Sequence, residues 1–166
     1  TWYLLAWSGE SLRRSATAIP ELMAKGGNFT LDDRQALLAE LGQAISGLIP
    51  RYRALAEHGQ VELCCTPGTH PLAPLLLDFN AAREAWPDCA LPAAPHYPGG
   101  RSRVDAHLKS AIESHTRRFG QPPSGLWPAE GALSHAFLKQ IAEAGFTWTA
   151  SSHGVLKHSA GNSART

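Results

Sequence analysis

The chain has 166 residues, 43% of them apolar, and a formal net charge of +1, which suits one globular domain with a sizeable core rather than a disordered chain. No basic block supplies the electrostatic footprint of nucleic-acid binding, and no apolar run approaches the roughly 20 residues of a membrane span. Three cysteines without a C-x-x-C pair read as buried small hydrophobes in a reducing compartment, hence a cytoplasmic protein.

Trp2-Tyr3-Leu4-Leu5-Ala6-Trp7, closed by Ser8-Gly9, reads as a buried strand. No charged segment precedes it and no cleavage site follows, so it is not a secretory signal. Thr1 opens straight into this run, so the chain is expected to start inside a longer gene product. A helix is expected over residues 11–25, stopped by Gly26-Gly27. The clearest helix follows, capped by Thr30 with Asp32 and Asp33 at the positive end of its dipole. Leu38, Leu41, Ile45, Leu48, Tyr52 and Leu55 recur at helical spacing as its buried stripe. Pro50 should kink this helix and Gly59 should end it.

Residues 60–66 form the second expected strand, with Glu62, Cys64 and Thr66 on one face. The stretch 67–101 is rich in proline, with a short helix over 75–85. Long excursions of this kind are often functional. A helix over 102–119 ends at Gly120, and a third strand over 124–128 runs up to Glu130. Ser134 caps a further helix with Phe137, Leu138 and Ile141 as its buried face and Gly145 as its stop. Residues 146–150 form the fourth strand, and 159–166 carry no structural signal.

Strands alternating with helices argue for an α/β fold with parallel strands. An open doubly wound sheet and a piece of a βα barrel both satisfy this order. Neither G-x-G-x-x-G nor G-x-x-x-x-G-K-[ST] occurs, so the dinucleotide and P-loop versions lack support. In parallel βα folds the chemistry sits at the carboxyl ends of strands. There the chain offers Glu10, Thr66, His70, Trp127, Glu130, Ser151, Ser152 and His153. Glu130 stands beside Trp127 and ahead of a helix, placed either for acid–base or nucleophilic work or simply to favour a helix N-terminus. Glu62 lies within a strand, where an unpaired charge is costly, so it either serves a network or sits at a wet strand entrance. His70 sits in a tight Pro/Gly loop. The other histidines lack metal-ligand spacing, and most read as surface residues.

These blocks together resemble glycoside hydrolase family 57. Tyr3-Leu4-Leu5-Ala6-Trp7 is similar to its aromatic strand. Gly59-Gln60-Val61-Glu62-Leu63 with Thr66-Pro67 and His70-Pro71 resembles its second conserved region, and Gly125-Leu126-Trp127-Pro128-Ala129-Glu130-Gly131 its third. Gly145-Phe146-Thr147-Trp148 with Gly154-Val155-Leu156 follows in the same order. The resemblance implies an incomplete seven-stranded βα barrel, retaining chemistry on α-linked glucans, and no cofactor or metal. It implies Glu130 as nucleophile, with Glu62, His70, Trp127 and Trp7 as substrate-binding residues and an oligo- or polysaccharide as partner. The family's His-Gln-Pro strand and its acid/base aspartate have no counterpart here. Residues 1–166 are therefore expected to be one partial catalytic domain of a longer protein, inactive by itself. Two further readings stay open, a metal-dependent polysaccharide deacetylase and a non-catalytic carbohydrate-binding or structural remnant.

Overall fold

A computed structural model describes residues 1–155. Leu156, His158 and the expected structureless tail 159–166 lie outside the described residues. The chain divides into two compact units, Thr1–Leu55 and Ala56–Thr166.

The first unit is helical. Trp2–Trp7, expected as a strand, is helix α1. Short apolar runs are ambiguous between strand and helix, and packing decides this one. As a helix it buries only Leu5, against Ile19, Leu22 and Leu37, while Tyr3 and Trp7 stay 71% and 76% exposed. The helix expected over 11–25 is two, α2 (Glu10–Ser15) and α3 (Ala18–Lys25). The break puts Pro20 in the first turn of α3, where its missing N–H costs nothing. Gly26 ends α3 in the left-handed conformation.

Helix α4 (Leu31–Ser46) starts as the sequence indicates. Thr30 Oγ1 accepts from Asp33 N and Asp33 returns the bond to Thr30 N, a complete capping box. Lys25 adds an ion pair to Asp33 at 2.5 Å. Glu40, one face away, accepts from the backbone N–H groups of Thr17, Ala18 and Ile19 at 2.7, 2.8 and 3.3 Å, satisfying the free donors that open α3. The expected stripe is not the buried one. Leu37 is 1% exposed and Leu41 packs beside it, whereas Leu38, Ile45, Leu48 and Tyr52 face outward. The helix carries apolar residues on two faces, and α3 covers only that of Leu37. The break before α5 (Leu48–Glu57) falls at Gly47; Pro50 then sits in the first turn of α5, not at a kink. Gly59 adopts φ +66°.

The second unit holds the parallel strands. The excursion contains α6 (Ala73–Leu77), a 3₁₀ turn (Phe79–Ala81) and α7 (Ala82–Ala85) in place of one continuous helix. Helix α8 (Gly100–Phe119) ends at left-handed Gly120. Helix α9 (His135–Glu143) opens with Ser134 Oγ accepting from Phe137 N. Phe137 and Ile141 are buried as expected, but Leu138 is exposed and Gln140 takes the third buried position, at 2%, donating to Asp105 at 2.6 Å.

Strand β1 (Gly125–Leu126) pairs in parallel with β2 (Trp148–Thr149). Of the strand expected over 60–66, a single parallel bridge forms, Cys65 to Leu126. Cys65 uses the Gly125 carbonyl and the Trp127 N–H, whereas the Ser124 and Leu126 carbonyls turn to residues 147–149. Alternate backbone groups point to opposite edges, so β1 lies between residue 65 and β2, and spatial order follows chain order. The described residues form this short arc and no seven-stranded barrel. Its core joins Val104 and Leu108 of α8 to Leu126, Phe137, Ile141 and Phe146, with Leu126 fully buried.

Candidate active site

Glu130 lies four residues beyond the end of β1, in a 3₁₀ turn (Ala129–Gly131), with φ +55° and ψ +17°. A non-glycine residue in this region is uncommon and carries backbone strain, which gathers at functional sites. Two more such residues, Thr69 (φ +65°) and His70 (φ +51°), lie in the loop after the Cys65 bridge. The two loops meet: His70 Nε2 donates to Glu130 Oε1 at 2.9 Å. Thr66 Oγ1 also donates to the Trp127 carbonyl, and Trp127 N donates to the Cys65 carbonyl at 2.8 Å. The loop after β2 joins from the other side, where Ser151 Oγ donates to the Gly131 carbonyl at 3.0 Å. Three consecutive strand ends thus converge on the turn that carries Glu130, whose side chain stays 73% exposed.

Beside Glu130 opens a cavity of about 610 Å³, within the size range of small-molecule sites. Its wall is largely apolar, from Leu72, Leu75, Leu133, Val155 and the alanines of α7, and its ionisable side chains are Glu130 and Glu84. Trp127 is half exposed, three residues before Glu130, but is not in this wall.

Glu62 is not brought to Glu130. It sits at the amino end of the arc, where its carboxylate accepts from Ser124 Oγ and, at 2.6 Å, from Trp148 Nε1. The Ser124 hydroxyl first and the Trp148 indole second hold its pKa below the usual glutamate range. The Trp148 ring lies over Gly125, where a Cβ would come within 2.1 Å of it. Glu62 therefore fixes Trp148 across β1. Trp86 is 68% exposed. Trp7 lies in the first unit, on α1, with its ring 6.0 Å from that of Tyr3.

Burial, then the neighbouring Cys64, pushes the Cys65 thiol up to about 11, in keeping with a packing role. His115 is buried at 7% and sits with Nδ1 3.0 Å from the Gln121 carbonyl. From the sequence, Glu84 counts with Glu10 and Glu113 among the carboxylates that turnover should tolerate losing; it nevertheless lines this cavity, and α7, in the proline-rich excursion, has no periodicity long enough to orient it. Among the described residues, no three His, Cys, Asp or Glu side chains are grouped to hold a metal ion, and no helix is long and apolar enough to cross a membrane.

Neither a curated protein nor a solved structure matches the chain. A family model described as Glycosyl hydrolase family 57 matches residues 1–163.

Proposed function

Since the chain belongs to glycosyl hydrolase family 57, we propose that it forms part of the catalytic domain of a retaining glycosidase or transglycosidase for α-linked glucans, with Glu130 as the nucleophile. The observation that carries this reading is the His70–Glu130 contact at 2.9 Å, made between two left-handed residues beyond the carboxyl ends of adjacent parallel strands. Chemistry in parallel βα folds sits at that end, and strained backbone there needs a reason beyond packing.

In the proposed reaction a Glu130 carboxylate oxygen attacks the anomeric carbon. The glycosidic C–O bond breaks, its electron pair leaves with the departing oxygen, and a second carboxyl group protonates that oxygen. The same group then takes a proton from water or from an acceptor sugar hydroxyl, which displaces Glu130 and restores the starting configuration. The resemblance puts that second group outside residues 1–166. His70 orients Glu130 through the contact of its Nε2–H with Oε1. Trp127, half exposed beside the same strand end, offers an apolar face for a sugar ring. The chain-order arrangement of residue 65, β1 and β2 is compatible with an arc of the family's incomplete seven-stranded barrel.

Treatment of the full-length protein with a fluorinated α-glucosyl substrate, followed by peptide mass spectrometry, tests the assignment. A glycosyl adduct on Glu130 is expected; an adduct on any other residue refutes it.

A further inference from the structure

We propose that Glu84 is a sugar-binding residue, whose carboxylate accepts hydrogen bonds from hydroxyls of the glucan that occupies the cavity beside Glu130; this rests on the reading of Glu130 given above. The cavity, about 610 Å³, combines an apolar wall with two carboxylates and the Ser152 hydroxyl. A sugar ring has the matching chemistry, with C–H faces for the apolar wall and a rim of hydroxyl donors for acceptor oxygens. Glu130 alone would face such a ring from one side. Glu84 provides the second acceptor, from a different element: α7 carries it, and the alanines at 81, 82 and 85 around it also line the wall.

His135, the first residue of α9, holds its Nδ1 3.9 Å from Glu84 Oε2. The side chain is 49% exposed, so it stands at the cavity rim with its oxygens open to a ligand. The buried cluster of this unit draws on α6, α8, α9 and the strands and does not include Glu84.

The test is calorimetric titration of the full-length protein with maltotriose. Hydrogen bonds to a charged group are worth about 1.5–3 kcal/mol, so Glu84→Ala is expected to weaken binding at least about tenfold. Glu84→Gln, which keeps one acceptor, should lose less, and Glu113→Ala, on the far part of α8, should lose nothing. Ala85→Trp, which fills the cavity, should weaken binding as well. Thermal melts of each variant establish that the fold is retained. If Glu84→Ala or Ala85→Trp binds as the unaltered protein does, or if that protein does not bind maltotriose, the inference is overturned. The reading of Glu130 is tested separately by the fluorosugar adduct: an adduct on Glu130 together with unaffected Glu84→Ala leaves that reading standing and removes this one. An adduct elsewhere removes both.

Discussion

Glu130 is a residue with a side chain in the left-handed backbone region. Its φ of +55° is unfavourable for a side chain with a Cβ, and its carboxylate meets His70 at 2.9 Å. In the full-length protein, Glu130→Ala is expected to reduce turnover by several orders of magnitude, because a covalent step needs a nucleophile that alanine lacks. The fold should persist, since the side chain is 73% exposed. Added azide should partly restore cleavage of an activated α-glucoside and give a glycosyl azide of inverted configuration; near-normal turnover by the variant excludes the role. Glu62 makes a contrasting prediction. Its folded-state pKa is lowered by Ser124 and Trp148, so the ionised form is the one the fold favours. That contribution is present at neutral pH and is lost as pH falls through the folded-state value. Urea melts across the acid range should therefore show a shallower pH slope for Glu62→Gln than for the unaltered chain, and equal slopes would remove Glu62 from the linkage.

At the scale of elements, helix ends and close approaches decide more than the apolar stripes do. Glu40 from α4 accepts from three N–H groups that open α3, the work an N-cap side chain does for its own helix. Glu40→Ala should cost about 1–2 kcal/mol, read as a lower denaturation midpoint; an unchanged midpoint would show that water replaces the carboxylate. Gly125 is required for a different reason. An added Cβ would lie 2.1 Å from the Trp148 ring, so Gly125→Ala must displace the indole and with it the bond to Glu62. A cost of roughly 1–3 kcal/mol is expected, along with a change in tryptophan fluorescence. Gly100→Ala meets backbone instead, 1.6 Å from the Leu76 carbonyl oxygen. Neither α6 nor α8 can yield there by turning a side chain, so this variant should be the more damaging of the two.

The whole molecule comprises two units with separate cores. Leu5, Ile19, Leu22 and Leu37 form one, and Leu126, Phe137, Ile141, Val104 and Leu108 belong to the other. Calorimetric melting is expected to resolve more than one transition, because each core is buried by its own helices. Glu40→Ala should move one transition and Gly125→Ala the other. A single transition shifted equally by both would mean that the units unfold as one.

Local chemistry in the sequence was enough for much of this. The caps at Thr30 and Ser134, the stops at Gly26 and Gly120 and the strand running up to Glu130 follow from hydrogen bonding and backbone sterics within a few residues. The family was legible for a similar reason, because its motifs are short runs in a fixed order. Tertiary packing decided the remainder. Residues 2–7 are helical because one buried leucine found α3, and Leu37 replaced Leu38 in the core because only one face of α4 was covered. His70 meets Glu130 across 60 positions, Glu62 serves Trp148 across 86, and Glu84 reaches the same cavity as Glu130 from a helix of four residues. A side chain's partner at such separation depends on how the elements between them pack, and no local propensity encodes that.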